Sequence, residues 1–575
     1  MLARSGGAVI ALLSAVTLMG PAGAQDQTQA IDDLRANLED QERGAPQTPS
    51  ISVPQTSVAP PAGAESVILR LDDIQLVGRD GAPLIDDGRL PLAEARALYA
   101  GLVGQETTLA GVYAIAREIE LTLKREGFVF TRVVLPRQDI DAEGATILIA
   151  VLTTRVEAVE IAEPQGDIGP VRALVEKLVA PLAGMDNPTV EDIERASLLV
   201  TDLPGVTRAT FVPSPGSTPD AIKLTMNVER SPLNAVGILT HRDGPVIGPG
   251  IFGGIGYANT YTSFGASTEI AYFNSWSTGD FPDLEERNTA SITQRVFLGT
   301  GTAISGSFTY ARTRPGDVLD PLELKGKQIE GRLEIEHPVV RTRAFSLWLG
   351  AGFEAVEAEL ELDDAGTLSD DSVRAFSLLG RGAVRDPFGE TFFEAGIKFG
   401  VEALGGSESG DPNLSNPLAD SGFVAFRGEV TRAQPIQGNL SAQIRATGQF
   451  SPEPLLSSQT ISFGGSRYLK GYEPSELSGD SGFAVYGELR WDDDAEIFAN
   501  RVGWGVYGFA DYGGVFQSDT PGSEYEDRAS VGAGARLIIP NGPQLEIEVA
   551  QPVTEALTRT GEHDTRINGS LVWFF

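Results

Sequence analysis

The 575-residue chain contains no cysteine, which excludes disulfides, thiolate nucleophiles and cysteine-ligated metals. Histidine is nearly absent too. His241, His337 and His563 stand far apart, so neither a histidine-rich zinc site nor a histidine-based triad is expected. Positive charge is scarce, with 44 Lys and Arg against 79 Asp and Glu and a formal net charge of -35. Phosphate backbones are bound through a basic footprint, so nucleic acid is excluded as the main partner. Beyond residue 24 there is no apolar run of about 18 residues, the length a membrane-spanning helix needs. Aromatic residues make up 7% of the chain, whereas glycine is abundant at 66. A cysteine-free, acidic, glycine-rich composition fits an exported β protein.

What is present starts with an export signal. Arg4, the apolar run Ala8–Met19 and the small residues Ala22, Gly23 and Ala24 mark residues 1–24 as a signal peptide. Residues 25–43 follow as a polar helix. Ile31, Leu34 and Leu38 at i, i+3 and i+7 give it one thin apolar stripe. Such a stripe buries little surface alone, so a helix and a disordered tail remain equally open. Pro46, Pro49, Pro54, Pro60 and Pro61 make residues 44–65 an extended linker.

Two mixed units come next, at 66–155 and 156–230, and both read β-α-α-β-β. In the first, strand 67–78 precedes helices over 91–101 and 109–126, then strands 128–136 and 146–153. Val112, Ile115, Ile119 and Leu123 share one face of the second helix. In the second unit, strand 156–162 precedes helices over 168–180 and 189–202, then strands 211–214 and 221–229. Pro204-Gly205 stops its second helix.

From residue 231 to 575 the period changes to two. Segments such as 265–274, 302–311, 440–450 and 482–491 alternate apolar with polar or Gly positions and are separated by Asp, Gly, Pro and Ser. At about ten residues per strand plus turns, this stretch accommodates about 16 antiparallel strands of a transmembrane barrel. A propeller or sandwich is the soluble alternative. The last strand favours lipid: Ile567, Leu571, Trp573 and Phe575 face one side, Asn568 and Ser570 the other. Phe575, ending the chain, is the candidate barrel-assembly signal. The fold class expected is α+β modules followed by an all-β barrel.

One long loop stands out, residues 462–482 (SFGGSRYLKGYEPSELSGDSG), with Arg467, Lys470 and Tyr472 among glycines. Loops of this length are functional or disordered. In the strand 501–514, Val502, Trp504 and Val506 share the lipid side, while Tyr507, Phe509 and Asp511 share the other. A carboxylate facing hydrocarbon is costly, so Asp511 is expected in the lumen, facing water or a cation from the loop.

These residues resemble the two-partner-secretion transporters, the haemolysin secretion and activation family ShlB/FhaC/HecB within the superfamily of barrel insertases. The resemblance spans nearly the whole mature chain. REGFVFTRVVLPRQDI (125–140) and LPGVTRATFVPSPG (203–216) are similar to stretches of the family's two POTRA (polypeptide-transport-associated) domains. FGGSRYLKGYEPSELSGDSG (463–482) resembles its inward-folded loop, and FADYG (509–513) its Phe-x-Asp-x-Gly strand motif. The resemblance implies a latch of Lys470, Gly471 and Tyr472 on Phe509, Asp511 and Gly513. Where the family usually has Arg, this chain has Lys470, which offers one flexible ammonium instead of a planar fork. Lys470 is the first candidate partner for Asp511 and Arg467 the second, with Gly471 expected to allow an unusual backbone conformation.

The resemblance further implies an outer-membrane exporter that captures an unfolded exoprotein with periplasmic POTRA domains. Outer-membrane lipid and the barrel-assembly machinery are the other partners it implies, with residues 25–43 plugging the pore. The rival readings are an outer-membrane insertase and a passive porin. The porin would need no POTRA-like units. No catalytic constellation, cofactor or metal site is expected. Gly248–Gly253 satisfies G-x-G-x-x-G outside any βαβ setting. Asp492-Asp493-Asp494 reads as a solvated turn, and Asp363-Asp364 and Asp370-Asp371 as exposed surface.

Overall fold

The computed structural model describes Ala36 and residues 60–575 except 87, 89, 142–143, 242–243, 245–247, 249, 277–287, 316, 363–365, 498–499, 519–524 and 541. The expected signal peptide, the rest of the helix 25–43, most of the linker and Asp363-Asp364 therefore lie outside the described residues. Two compact units emerge, one around residues 47–231 and one containing 232–575.

In the first unit, Ile68–Val77 is one of the two inner strands of a four-stranded sheet and runs parallel to the other, Ala145–Leu152. It buries Leu69 and Leu71, then Ile74 and Leu76. The switch from odd to even positions follows from a bulge between Leu71 and Asp73, which puts one extra residue against the partner strand. Helix Leu109–Arg125 covers one face with Val112, Ile115, Ile119 and Leu123, all buried. Its first turn is capped by the Thr108 side chain, which accepts the Gly111 N–H. Of the strand expected at 128–136, only Arg132–Val134 pairs with its neighbour. Gly127 sits at φ 92 before it, and Pro136 has no N–H to continue the ladder. Instead, Gln138 donates its amide to Leu148 O and accepts Leu148 N–H, both at 2.8 Å. One side chain stands in for the missing backbone partner.

The second sheet repeats the plan. Arg155–Ala162 runs parallel to Ala221–Arg230, with a bulge at the corresponding place, between Val156 and Ala158. The third strand is Val206–Pro215, longer than the expected 211–214. Its helices are Arg172–Val179 and Val190–Thr201, the latter opened by a reciprocal Thr189–Asp192 capping box.

Residues from Leu233 on form a closed ring of sixteen strands, each antiparallel to the next. Numbered on their own, they are β1 (Leu233–His241), β2 (Gly250–Ala258), β3 (Ser267–Trp276), β4 (Asn288–Phe297), β5 (Ala303–Thr313), β6 (Leu324–Arg341), β7 (Phe345–Leu362) and β8 (Gly366–Asp386). The second half comprises β9 (Gly389–Gly400), β10 (Val424–Gln437), β11 (Leu440–Phe450), β12 (Ser481–Ile497), β13 (Asn500–Phe516), β14 (Glu526–Ile538), β15 (Pro543–Pro552) and β16 (Arg566–Phe574). The β16–β1 pairing closes the ring, and Phe575 N–H extends it by bonding Ala235 O at 2.8 Å. Closure removes the sheet edges that lipid could not satisfy.

Period two sorts the side chains. Ile270, Phe308, Leu333, Leu378, Ile444, Ile547 and Ile567 are all exposed on the outside. A continuous apolar exterior of this kind belongs in hydrocarbon. Trp573 and Phe575 stack there at 5.7 Å, while Asn568 is buried on the inner face. The lumen has three textures. Facing inward are Thr289, Ser291, Thr293, Ser305, Ser307 and Thr309 on β4–β5, charged residues on β6–β10, and Val236, Ile238, Ile251, Ile255, Phe273 and Val572 near the seam.

Two acidic runs differ from expectation. Asp492 and Asp494 lie within β12 rather than in a turn, paired to Arg536 and Arg501 at 2.7 and 2.6 Å. Asp371 is fully buried and accepts the Ser415 N–H at 2.9 Å, because the β9–β10 loop folds over the end of β8.

Candidate latch inside the barrel

The loop joining β11 to β12 runs over 451–480, starting earlier than expected, and β12 begins at Ser481. It folds inward as a small hairpin in which Ile461–Phe463 pairs with Leu477–Gly479. Asp480 ties its base by accepting the N–H groups of Leu455 and Ser518 at 2.8 and 2.7 Å. Gly464, at φ 127, sits where a Cβ would lie 1.8 Å from Glu473 O, so the hairpin tip cannot form around a larger residue.

The hairpin packs on β12–β15. Ile461, Phe463, Leu469, Tyr472 and Leu477 join Tyr486, Tyr507 and Phe509 in one buried cluster. The receiving wall is shaped by glycines directly opposite its rings. Tyr507 pairs with Gly534 and Phe509 with Gly532, and a Cβ at either glycine would overlap the ring at 2.4 and 2.3 Å. The rings therefore lie flat over β14 and present their faces to the loop. Gly513, third in the strand motif, lets β13 approach Ala484, whose Cβ would be 3.0 Å from one at Gly513.

Asp511 is buried on the inner face as its parity requires, and Val506 is exposed on the outer face. Val502 keeps the parity of Val506, because the β12–β13 register runs without a shift, although it is buried. Asp511 accepts the backbone N–H of Lys470 at 3.0 Å through Oδ2. Its Oδ1 accepts the Ser530 N–H at 3.2 Å and the Ser530 hydroxyl, which in turn accepts the Gly471 N–H at 3.0 Å. The carboxylate thus holds the loop by its main chain. The expected side-chain pair of Lys470 with Asp511 is not formed, nor does Arg467 replace it.

Lys470 Nζ instead meets Glu548 Oε2 on β15 at 2.7 Å, and Arg467 pairs with Glu429 on β10. Glu548 is 0% exposed and also accepts from Tyr507 OH at 3.0 Å and Asn568 Nδ2 at 3.2 Å. The ammonium lies 4.9 and 4.8 Å from the ring centroids of Tyr486 and Phe509, a cation–π setting that offsets part of its desolvation. A compact ammonium fits this crowded well and still leaves Asp511 to the backbone.

Gly471 has an ordinary negative φ, so its role is not conformational freedom. A Cβ there would lie 2.7 Å from Ser530 Cβ and 2.9 Å from the Gln551 carbonyl carbon. Contact between the two backbones demands glycine. Tyr472 is fully buried, and its OH donates to Glu555 O at 2.9 Å in the β15–β16 loop. Sequence reading missed Ser530, Glu548 and Glu429. For Glu548 a signal existed, since Leu545, Ile547 and Val549 point outward and leave Glu546 and Glu548 facing the lumen.

Residues 300–537 match the family model of haemolysin secretion/activation protein ShlB/FhaC/HecB, and residues 81–152 that of the ShlB-type POTRA domain. The heme/hemopexin transporter protein HuxB of Haemophilus influenzae is 22% identical over 524 residues, covering 86% of this chain and 85% of HuxB. The outer membrane transporter CdiB of Escherichia coli is 24% identical over 496 residues, covering 81% of this chain and 76% of CdiB. Solved CdiB structures share the fold. That from Escherichia coli superposes with a TM-score of 0.73 at 19% identity, covering 96% of this chain and 98% of CdiB. That from Acinetobacter baumannii gives 0.64 at 15% identity, with 96% and 99% covered.

Proposed function

We propose that this chain, a member of the haemolysin secretion/activation family ShlB/FhaC/HecB, exports a partner exoprotein through its barrel. The protein is an outer-membrane barrel with periplasmic POTRA domains. The observation that carries the export reading is the pairing of two POTRA-type modules with a pore whose lumen holds a latched loop. An unfolded client would be caught in the periplasm on an exposed sheet edge, such as the far end of Arg155–Ala162, or in a strand–helix groove. No nucleotide or metal enters this account, and no residue is assigned a catalytic role. Net movement then comes from binding on one side and folding of the client on the other.

In the same reading, Asp511, Ser530, Lys470, Gly471 and Tyr472 keep the inner loop on the wall, and residues 25–43 occlude the resting pore. The inward apolar patch of Val236, Ile238, Ile251 and Phe273 near the seam supports an apolar occupant there. Phe575, exposed at the seam, is the residue we assign to the barrel-assembly machinery. The test is Asp511→Arg in cells that secrete the partner exoprotein, read in the medium. Loss of the exoprotein from the medium with heat-modifiable barrel retained is expected, and normal release would refute the latch.

A further inference from the structure

The inner loop touches two walls, not one. Its hairpin lies on β12–β15, but Gln459, in the short 3-10 turn Ser457–Gln459, reaches the opposite side. There Lys398 Nζ on β9 donates to Gln459 Oε1 at 3.0 Å, and Gln459 Nε2 donates to Glu354 Oε1 on β7 at 3.3 Å. Glu354 is already paired with Lys398 at 3.1 Å and with Arg332 on β6 at 3.2 Å. In a ring of sixteen, β7 stands six to eight strands from β13–β15, so the loop crosses the lumen.

The two attachments differ in what remains after release. Release of the apex breaks the Lys470–Glu548 ion pair and the main-chain bonds to Asp511 and Ser530, and it uncovers the buried cluster of Leu469, Tyr472, Tyr486 and Phe509. If the Gln459 side chain swings away, Glu354 keeps both Lys398 and Arg332, Gln459 O keeps the Gln449 amide, and a neutral amide has to find water. The second far-wall contact, Arg467 with Glu429, also opens cheaply, because Glu429 is one-third exposed. Upstream, Leu455 and Leu456 are packed among Val356, Val373, Leu414 and Phe423, which fixes the start of the crossing segment.

We propose that Gln459, with Lys398 and Glu354, is a releasable bolt that keeps the hairpin across the lumen at rest and narrows the pore, and that full opening frees this end while the apex stays latched. Gln459 is a positioning residue: it acts by holding the hairpin against the far wall. This inference concerns the gate of the export pore and rests on reading the barrel as a pore.

The chain's lack of cysteine makes the test clean. Gln459→Cys with Lys398→Cys, in the full-length protein, is bridged by a reducible bis-methanethiosulfonate and examined in planar bilayers in potassium chloride. The bridged protein is expected to lose its large-conductance openings and to regain them on reduction. Openings that persist in the bridged protein overturn the proposal. If the double variant does not assemble, Gln459→Leu decides. Open-state occupancy raised at least severalfold, with unchanged heat-modifiable migration, supports the bolt, and unchanged occupancy overturns it. A barrel that gates this way but releases no exoprotein would refute export and leave the bolt standing.

Discussion

Replacing Lys470 by Met is the sharpest test of how the loop is held. Met keeps an unbranched apolar stem of similar length among Tyr486, Tyr507 and Phe509 while deleting the charge. The backbone bond from residue 470 to Asp511 is unaffected, so the change isolates the ammonium. Glu548 would then sit at 0% exposure without the ammonium, still accepting from Tyr507 OH and Asn568 Nδ2. Removing one member of a buried pair costs about 3–5 kcal/mol. Tenfold per about 1.4 kcal/mol makes this roughly a 100- to 5,000-fold shift in the latched-to-released ratio. Single-channel recording should show it as a large rise in long, high-conductance openings. Lys470→Met with Glu548→Gln leaves no orphan charge and should recover most of the loss, so the two substitutions are strongly non-additive. Wild-type gating in the single variant, or no recovery in the double, would refute the reasoning.

Three other outcomes are expected. Gly471→Ala must push the loop off Ser530 and Gln551, an overpacking cost of about 1–3 kcal/mol that should loosen the latch and speed proteolysis of the loop in assembled protein. Deleting residues 25–43 should raise resting ion conductance in planar bilayers, and unchanged conductance would remove the plug. In the second POTRA module, Glu157 accepts the Ser217 N–H at 2.6 Å, which holds its carboxyl below the usual carboxylate range. A lowered value means the contact is present above the unfolded-state pKa and lost as pH falls through the folded one. The protection factor of the Ser217 amide should therefore fall in acid, and a pH-independent protection factor would contradict the assignment.

Much of this molecule was legible in its alternation. Period two in residues such as Ile567, Trp573 and Asn568 gave the barrel wall its sides, and parity alone turned Asp511 inward. The modules were legible from 3.6-residue spacing in Val112, Ile115 and Ile119. What stayed hidden were choices between chemically equal partners. Lys470 faces both Asp511 and Glu548, and only the approach of two backbones at Gly471 decides that the main chain takes the first. Short strands were blurred for a related reason: Gln138 completes a ladder from outside it, which no propensity records. Asp371 was misread because burial by the β9–β10 loop depends on contacts distant in sequence.

The hydroxyl-lined stretch of β4 and β5 has a consequence for traffic. Thr293, Ser305, Ser307 and Thr309 face the lumen side by side from these two strands. Short hydroxyls donate and accept alike and carry no charge. A passing backbone could exchange one such bond for the next at nearly equal energy, whatever its sequence. For an exported chain such a stretch would serve as a low-friction rail, indifferent to cargo, leaving recognition to be settled before the chain arrives.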